Sequence, residues 1–348
     1  MEKVKVLVVD DSAFMRKMLT DILNKDPRIH VMATGRNGEE ALEKAIQLQP
    51  DVITLDVEMP KMDGLTALKK LMKSHPTAVV MVSSLTGEGA DSTIAAMTLG
   101  AVDFILKPSG SISLDIHKVE QSIIRKVITA SKANVAPLID SVERPVPASI
   151  SKNIQTSNST TKILAIGTST GGPRALQTVL TALPEHLDCP IVIVQHMPKG
   201  FTKSLADRLN HLSKIHVTEA KEGMILKKGT AYIAPGDYHM GIKAVNGKFI
   251  IQLQQSEPQN GHRPAVNYLF RSLSLLHLHT VAIVMTGMGA DGTEGLFELK
   301  QHRPDTYVIA ESEKTSIVYG MPKAVIKSNL ANEVVPVDKI SERIKKVI

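Results

Sequence analysis

The chain has 348 residues, of which 43% are hydrophobic and 22% charged, and because a single core stops growing at about 250 to 300 residues, this length predicts two globular domains. No apolar stretch approaches the roughly 20 residues that span a bilayer, and the N-terminus shows no signal-peptide pattern, so we expect a cytoplasmic protein without a membrane anchor. A net charge of +6 spread along the chain, only 3% aromatic residues and a single cysteine, Cys189, disfavour a nucleic-acid-binding protein and exclude disulfide or cysteine-metal frameworks.

The first part of the chain, up to about residue 125, alternates short apolar runs with helical patterns. The apolar runs are VKVLVVD, HVMATG, DVITLD, AVVMVSS and DFILKP, and stretches such as AFMRKMLTDIL and GEEALEKAIQL separate them. This alternation is typical of βαβ units that build a parallel sheet. A last helix, about SLDIHKVEQSIIRKVITA, closes the unit. We therefore predict an α/β domain over residues 1–125.

A segment without sustained periodicity follows, from about residue 134 to 160. It reads NVAPLIDSVERPVPASISKNIQTSNSTT and is rich in Pro, Ser, Asn and Thr. Such a composition has little capacity to form a core and is typical of a linker. We expect residues 126–160 to contain the end of the last helix of the first domain and a flexible linker.

The second part of the chain, from about residue 161, alternates again. Its apolar runs include KILAIG, CPIVIVQH, TAYIAPGD, GKFIIQL, TVAIVMTGMG and TYVIAES. We predict a second doubly wound, mostly parallel α/β domain over residues 161–348. The section YIAPGDYHMGIKAVNGKFIIQLQQ has no helical period and contains the turn signal Asn246-Gly247, so we expect part of this sheet to be an antiparallel hairpin.

Acidic residues follow the strands of the first domain. Asp10 and Asp11 end the first predicted strand, Asp56 ends the third, and Lys107 follows the fifth. In an open α/β sheet these positions meet in the crevice beyond the carboxyl ends of the strands. Carboxylates so close together repel one another unless a hard cation lies among them, and Mg²⁺ prefers such oxygen ligands. The chemistry would be phosphorylation of Asp56, with Lys107 and the hydroxyl of Ser83 neutralising the phosphoryl oxygens.

Each of these residues also has a purely structural explanation. Asp11 and Ser12 suit the cap of a helix, Asp56 could be a loop acid and Lys107 a surface charge. The set as a whole, with its surroundings LDVEMPKMDG and KP, resembles the receiver domain of two-component response regulators. That resemblance implies a flavodoxin-like fold and phosphorylation of Asp56 by a histidine kinase.

The same resemblance implies a metal site and a switch. The cofactor of phosphorylation, Mg²⁺, would be held by four residues: Asp10, Asp11, Asp56 and, through its carbonyl, Glu58. The receiver switch would involve three residues: Ser83, Phe104 and Lys107. Ser84 is a neighbouring hydroxyl that competes with Ser83 for this role.

The stretch KILAIGTSTGGPRALQTVL, residues 162–180, runs from an apolar strand through a glycine-rich turn into a helical pattern. Such a turn could hold a phosphate or expose a nucleophile. A triphosphate loop needs a Lys-Ser or Lys-Thr pair after its second glycine, but Gly172 is followed by Pro-Arg, and the dinucleotide pattern G-x-G-x-x-G is absent. The pattern that fits is G-x-S-x-G, formed by Gly167, Ser169 and Gly171. We therefore predict a nucleophilic serine and disfavour an NTPase or a dehydrogenase.

The predicted serine needs partners, because a hydroxyl is a weak nucleophile without a histidine base and an acid that orients the imidazole. Among the 12 histidines, His196 ends the run PIVIVQH, and Asp291 follows the run VAIVMTGMG. Both would reach the sheet edge that carries Ser169. His239 and Asp237 in APGDYHMG are the alternative base and acid. Spacing alone does not choose between the two pairs.

Five segments of the second half together resemble the catalytic domain of the chemotaxis protein-glutamate methylesterases: IGTSTGGPRAL, VQHMPKGFT, YIAPGDYHM, HRPAVNYLFRSL and TGMGADGTEGL. The resemblance implies Ser169 as nucleophile, His196 as general base and Asp291 as orienting carboxylate. We place the oxyanion hole at the N–H of Met288, helped by that of Thr170, because neighbouring glycines leave the backbone open there. The segment GHRPAVNYLFRSL is either a substrate-side helix or an amphipathic core helix.

These resemblances predict a response regulator whose output is ester hydrolysis. Its substrates would be glutamate methyl esters on methyl-accepting chemotaxis receptors, with release of methanol, and specific receptor glutamines, which it would deamidate. Its partners would be those receptors and a chemotaxis histidine kinase, with no nucleic acid, no membrane insertion and no cofactor for the ester chemistry. The unphosphorylated receiver would cover the catalytic edge. The alternative is a response regulator whose second domain only binds nucleic acid or protein.

Overall fold

The structure is a computed structural model that describes residues 2–84, 86–107, 116–135 and 162–348. It contains two parallel sheets whose strands are connected by helices. The α/β class predicted for both halves is therefore confirmed. Most of the predicted linker, the proline of the KP pair and the beginning of the helix that closes the first half lie outside the described residues.

The first sheet lies in the first half of the chain. Its strands are β1 (Val4–Val9), β2 (Ile29–Gly35), β3 (Val52–Asp56), β4 (Ala78–Ser83) and β5 (Asp103–Leu106). The helices that alternate with them are α1 (Ala13–Asn24), α2 (Gly38–Leu48), α3 (Gly64–Ser74), α4 (Gly87–Leu99) and α5 (Ile116–Ala130). All strand pairs are parallel, in the order β2-β1-β3-β4-β5. This is the flavodoxin-like order, whose crevice opens at the carboxyl ends of β1 and β3.

The second half contains the larger sheet. The strands of this half are β6 (Lys162–Thr168), β7 (Ile191–Gln195), β8 (His216–Glu219), β9 (Thr230–Ile233), β10 (His239–Val245), β11 (Lys248–Gln254), β12 (His279–Val284), β13 (Tyr307–Glu311) and β14 (Glu333–Val335). Its helices are α6 (Gly172–Thr181), α7 (Phe201–Leu212), α8 (Val266–Ser274), α9 (Thr293–His302), α10 (Met321–Lys327) and α11 (Val337–Val347). The main sheet has the order β14-β13-β12-β6-β7-β9-β8 and is parallel throughout. Because β6 lies between β12 and β7, the loops that follow these three strands meet at one edge.

The hairpin formed by β10 and β11 is present but does not belong to the main sheet. The two strands pair antiparallel and form a separate two-stranded sheet, which packs against α8. The expectation that part of the main sheet is antiparallel is therefore wrong, because the strand pattern does not reveal which edge a hairpin joins. Asn246 and Gly247 connect the strands with φ angles of 49° and 73°. Positive φ at both positions is the requirement of a tight hairpin turn, and Asn-Gly satisfies it at little cost.

The central strands of both sheets are buried on both faces. All residues of β3, β4 and β7 are buried, which explains why these segments are continuous apolar runs without alternation. The strands β8 and β14 have four and three residues, too few for a periodic signal in the sequence. In the described part of the chain, no helix is long and apolar enough to cross a membrane.

The two halves contact each other through α4 and β5 on one side and α6 and α7 on the other. The rings of Phe104 and Phe201 stack with centroids 4.7 Å apart, and they are 4% and 1% exposed. Arg208 donates to the hydroxyl of Thr98 at 2.9 Å. The end of the first sheet is therefore packed against the beginning of α7.

Phe201→Ala should lower the free energy of unfolding by about 3 to 5 kcal/mol, because it empties a buried site and removes the stacking partner of Phe104. Phe297 is 53% exposed, so Phe297→Ala is the matched control, with an expected change within about 0.5 kcal/mol. Urea unfolding followed by circular dichroism measures both variants. Equal losses in the two would contradict the burial argument.

Candidate active site

An acidic cluster lies at the carboxyl edge of the first sheet. Asp10, Asp11 and Asp56 place carboxylate oxygens within 4.8 Å of one another. Lys107 Nζ lies 2.8 Å from Asp56 Oδ2 and 3.5 Å from Asp10 Oδ2. Ser12 caps α1, and its N–H donates to Asp10 at 2.9 Å. The structure thus brings together the four charged residues predicted from the strand ends.

The acidic cluster contains more buried negative charge than Lys107 balances. Burial raises the pKa of Asp56 to about 6, against the hydrogen bond from Lys107, and burial raises the pKa of Asp10 as well. Among the described residues, Asp10 Oδ2 is buried without a hydrogen-bond partner. Carboxylate oxygens without sufficient counter-charge are the ligands that a hard cation such as Mg²⁺ requires, so these side chains fit the ion. The part played by the Glu58 carbonyl stays a prediction.

The predicted switch residues connect the first sheet to α4 and to the second half. The buried hydroxyl of Ser83 accepts from Thr93 Oγ1 at 2.6 Å and donates to the carbonyl of Gly89 at 3.1 Å, both on α4. Ser84 instead lies within hydrogen-bonding distance of Thr86, the residue before that helix. Ser83 is therefore tied to a helix that contacts the second half, whereas the role of these residues in switching stays a prediction.

Ser169 lies in the turn between β6 and α6, at the carboxyl edge of the second sheet. Its N–H donates to the carbonyl of Thr286, after β12, at 3.0 Å. A Cβ on Gly167 would lie 2.3 Å from a methyl group of Val266, and Gly171 has a φ of +78°, which favours glycine. The glycines of G-x-S-x-G thus allow a close approach and a sharp turn that together place Ser169 on the wall of a cavity.

His196 and Asp291 form a buried pair on the same cavity wall. His196 Nε2 and Asp291 Oδ2 lie 2.7 Å apart, and the two side chains are 5% and 3% exposed. Asp291 also accepts from the N–H groups of Val266 at 2.7 Å and Asn267 at 3.0 Å, at the beginning of α8. Burial by itself would raise the pKa of Asp291, but the hydrogen bonds from His196, Val266 and Asn267 lower it below its usual value. The carboxylate is therefore a stable anion that fixes one side of the imidazole.

The other side of the His196 ring is available for chemistry. Its Nδ1 is buried and has no hydrogen-bond partner in the described part of the chain. The ring of His262 stacks on it with centroids 3.8 Å apart and an interplanar angle of 8°. Burial, followed by the neighbouring His196, lowers the pKa of His262 to about 4, so His262 is neutral at pH 7. The sequence analysis did not single out His262, although it stands in the quoted segment GHRP.

Two backbone N–H groups near Ser169 are free to donate. Those of Thr170 and Met288 make no hydrogen bond within the described residues, whereas the N–H of Gly287 donates to Val318 at 3.0 Å. Thr170 and Met288 both line the cavity that contains Ser169. Unpaired N–H groups beside a nucleophile can stabilise an oxyanion, and the assignment of this role to the pair stays a prediction.

The alternative pair, His239 and Asp237, does not line this cavity. His239 is fully buried, its Nε2 lies 3.1 Å from the carbonyl of Glu257, and its ring stacks on Tyr268. Asp237 lies in the loop before β10. Of the two pairs that the sequence left open, the geometry brings only His196 and Asp291 to the serine edge.

The segment GHRPAVNYLFRSL divides into two structural parts. The residues 260–264 line the cavity. The helix α8 that follows directs Val266, Leu269, Phe270 and Leu273 into the core. The helix thus fits the interpretation as an amphipathic core helix, while the loop before it faces the candidate site.

Glu311 is a buried acid that the sequence analysis missed. It is fully buried at the end of β13, where it accepts from the N–H of Thr286 at 2.8 Å and from the hydroxyl of Thr315 at 3.0 Å. Burial raises its pKa to about 7. Because the carbonyl of Thr286 receives the N–H of Ser169, Glu311 supports the backbone next to the candidate nucleophile. Nothing in the run TYVIAES distinguishes it from an ordinary charged residue at a strand end.

The candidate site opens into a cavity of about 700 Å³ between the two halves. Residues of the first half form part of its wall: Met97, Asp103, Phe104, Ser122, Arg125, Lys126 and Thr129. The first half therefore forms one side of the cavity that contains Ser169.

Polar contacts cross this cavity next to Ser169. Asp103 Oδ2 accepts from the hydroxyl of Thr170 at 2.8 Å, while its Oδ1 is held within the first half by Lys126 Nζ at 2.8 Å. The hydroxyl of Thr129, on α5, contacts the sulfur of Met288. The first half thus reaches both residues whose N–H groups are free.

Two family models match the chain. The model described as CheB methylesterase matches residues 164–344, and the model described as response regulator receiver domain matches residues 6–118. The first match spans the large sheet, and the second spans the five-stranded sheet with the acidic cluster.

Individual proteins give the same result. A protein-glutamate methylesterase/protein-glutamine glutaminase of Geobacillus kaustophilus is 53% identical to this chain, covering 100% of this chain and 99% of that protein. A protein of the same description from Bacillus subtilis is 47% identical, covering 98% and 97%. The crystal structure of the Thermotoga maritima CheB methylesterase catalytic domain is 46% identical, with a TM-score of 0.53, covering 55% of this chain and 100% of that one.

Glu311→Gln should change how the stability of the protein depends on pH. Because the pKa of Glu311 is raised by folding to about 7, its stabilising contribution is full below the ordinary value of 4.5 and is lost as the pH rises through about 7. The amide does not titrate, so the variant should gain on the order of 2 kcal/mol relative to the wild type between pH 5 and pH 8. Urea unfolding at both pH values measures this gain, with Glu313→Gln at a neighbouring exposed position as control. A constant difference between wild type and Glu311→Gln would contradict the raised pKa.

Proposed function

The chain belongs to the CheB methylesterase family, and on that basis we propose that it is a protein-glutamate methylesterase and protein-glutamine glutaminase controlled by its receiver domain. The observation that supports this most directly is the buried pair of His196 and Asp291, 2.7 Å apart, on the cavity wall that also carries Ser169. A nucleophile, a base and an orienting acid are the groups that acyl transfer from an ester or an amide requires.

In the first half-reaction, the Oγ of Ser169 attacks the carbonyl carbon of a glutamate methyl ester. His196 accepts the hydroxyl proton at Nδ1, the ring nitrogen without a partner among the described residues, while Asp291 holds Nε2 and stabilises the imidazolium. The N–H groups of Thr170 and Met288 donate to the carbonyl oxygen as it becomes negative. The imidazolium then gives its proton to the methoxy oxygen, so that methanol leaves and a glutamyl ester of Ser169 remains.

In the second half-reaction, water replaces the leaving group. His196 takes a proton from the water as it attacks the acyl-enzyme, and then returns this proton to the Oγ of Ser169. The products are a glutamate carboxylate and the free enzyme. A glutamine side chain follows the same route with ammonia as the leaving group, and neither half-reaction requires a cofactor.

We propose Asp56 as the phosphoacceptor of the receiver domain. Asp10, Asp11 and Asp56 would hold Mg²⁺, which supplies positive charge to the phosphoryl oxygens when it is bound. Lys107, whose Nζ lies 2.8 Å from Asp56, contributes a second positive charge from the protein itself. The raised pKa of Asp56, caused mainly by burial, indicates that Lys107 alone does not offset the cost of burying this carboxylate.

Phosphorylation would act on the contact between the two domains. A phosphoryl group adds about −1.5 to −2 charge and several hydrogen-bond acceptors next to Ser83. If the Ser83 hydroxyl turns toward these acceptors, it leaves Thr93 and Gly89 of α4. Because α4 packs against α6 and α7, this change would weaken the contact that covers the cavity.

The partners follow from the two activities. The substrates would be methyl-accepting chemotaxis receptors, and the phosphodonor would be a chemotaxis histidine kinase, both met in the cytoplasm. A second domain that only binds nucleic acid or protein is the weaker candidate, because such a domain does not need a buried imidazole–carboxylate pair beside a serine turn.

The function is tested by methanol release from methylated receptor membranes. Wild type should release methanol, Ser169→Ala should release none above background, and Asp291→Asn should lower kcat by a factor on the order of 10³ to 10⁴, because the amide no longer fixes the imidazole. Ser204→Ala on α7, which lies outside the cavity wall, is the control. Equal background release by wild type and Ser169→Ala would overturn the proposed function and favour a binding output.

The control by the receiver is tested in the same assay with Mg²⁺ and acetyl phosphate. Asp56→Asn should abolish the stimulation by the phosphodonor. Asp103→Ala should raise release without the donor by about 2- to 10-fold, because it removes the hydrogen bond to Thr170 across the cavity. Asp91→Ala, at an exposed position of α4, is the matched control for Asp103→Ala. If Asp103→Ala releases methanol at the wild-type rate, the contact does not restrain the enzyme.

A further inference from the structure

A buried glutamine lies between the candidate nucleophile and the candidate base. Gln195 is the last residue of β7, 2% exposed, and is paired in the sheet with Thr168, the last residue of β6. The next residues along the two strands are His196 and Ser169. Gln195 therefore lies where both strands end, directly before His196 and beside the residue that precedes Ser169.

The carboxamide of Gln195 binds the backbone of both residues. Its Nε2 donates to the carbonyl of Ser169 at 3.0 Å and to the carbonyl of His196 at 3.2 Å. An amide nitrogen has two hydrogens, so one side chain satisfies both acceptors. Gln195 also lines the cavity, and its Oε1 is buried without a partner in the described part of the chain.

The turn is shaped to accept this carboxamide. The carbonyl of Ser169 also receives the N–H of Gly172 at 2.8 Å, so Gly172 and Gln195 hold it from two sides. A Cβ on Gly172 would lie 1.9 Å from Gln195 Oε1, far inside van der Waals contact. Glycine at position 172 is therefore required for the carboxamide to lie under the turn.

We propose that Gln195 is a positioning residue for the reaction, which fixes the Ser169 turn and the end of the His196 strand relative to each other. The inference rests on the proposed function, because it concerns the approach of Ser169 Oγ to His196 Nδ1. The last backbone hydrogen bond between the two strands runs from the N–H of His196 to the carbonyl of Thr168 at 3.2 Å. Beyond it, the carboxamide of Gln195 connects the carbonyls of Ser169 and His196. A misplacement of about 1 Å between reacting groups can cost about 100-fold in rate.

The position of Gln195 predicts a particular kinetic signature. Gln195→Met keeps the length and volume of the side chain but removes the donor, and Gln195→Glu keeps the shape but directs an acceptor at two carbonyl oxygens. Both should lower kcat by about 10- to 100-fold, with KM within about twofold and a larger loss for the glutamate. Since Gln195 acts before any receptor is bound, the rate at which a fluorophosphonate labels Ser169 should fall by the same factor.

The experiment compares these variants with Gln177→Met in the full-length protein. Gln177 is a half-buried glutamine of α6, outside the cavity wall, whose Oε1 also lacks a partner among the described residues. Kinetic constants are normalised to the fraction of serine that the fluorophosphonate finally labels, and circular dichroism reports the folded fraction. A slower reaction per labelled site in Gln195→Met, with Gln177→Met at the wild-type rate, supports positioning.

Other outcomes overturn the proposal in distinguishable ways. If Gln195→Met loses folded protein but reacts at the wild-type rate per labelled site, Gln195 contributes to stability and does not position the reaction. If Gln195→Met fails to fold, Gly172→Ala is the second variant, because its methyl group displaces the carboxamide without removing it. We expect this variant to be labelled as slowly as predicted for Gln195→Met. Labelling of Gly172→Ala at the wild-type rate contradicts the proposal. A wild-type protein that releases no methanol overturns the proposed function itself, whereas normal release by both wild type and Gln195→Met overturns only the role of Gln195.

Discussion

The buried carboxylate of Asp291 is the group on which the arrangement of the candidate active site depends. It receives hydrogen bonds from the ring of His196 and from the N–H groups of Val266 and Asn267. A buried anion is stable only when donors replace the water it has lost. One charge therefore connects the loop after β12, the end of β7 and the beginning of α8, three segments that are far apart in the sequence. The Ser169 turn joins the same assembly through the carbonyl of Thr286.

Both sites lie at the carboxyl edge of a parallel sheet, but the pKa of the buried carboxylate is shifted in opposite directions in the two. In the receiver, burial and then the neighbouring Asp10 raise the pKa of Asp56, and Lys107 does not offset them. In the catalytic domain, several donors overcome burial, and the pKa of Asp291 is lowered. The carboxylates of the first site are thus suited to a hard cation such as Mg²⁺, whereas the carboxylate of Asp291 has its donors within the protein.

The contact between the domains lies between these two sites. Asp103 reaches Thr170 beside Ser169, and the neighbouring Phe104 stacks on Phe201 at the beginning of α7. The same strand, β5, pairs with β4, whose last residue, Ser83, is bound to α4. One strand and one helix thus connect the edge that carries the acidic cluster with the wall of the cavity.

The sequence by itself determined the two α/β domains. Continuous apolar runs between helical patterns are buried on both faces when they form a parallel sheet that helices cover on each side. It also predicted that Ser169 lies in a turn between a strand and a helix, since G-x-S-x-G is a local pattern. The acidic cluster was predictable as well, since the carboxyl ends of parallel strands meet at one edge of a sheet. Spacing left His196 and His239 as alternatives, and the tertiary structure placed His196 at the serine edge, in agreement with the resemblance. Only the tertiary structure decided that the hairpin stands apart from the main sheet and that His262, Glu311 and Gln195 lie around the site. These last residues depend on which side chains meet across strands separated by tens of residues. Such encounters are set by packing and register, and no local period or spacing records them.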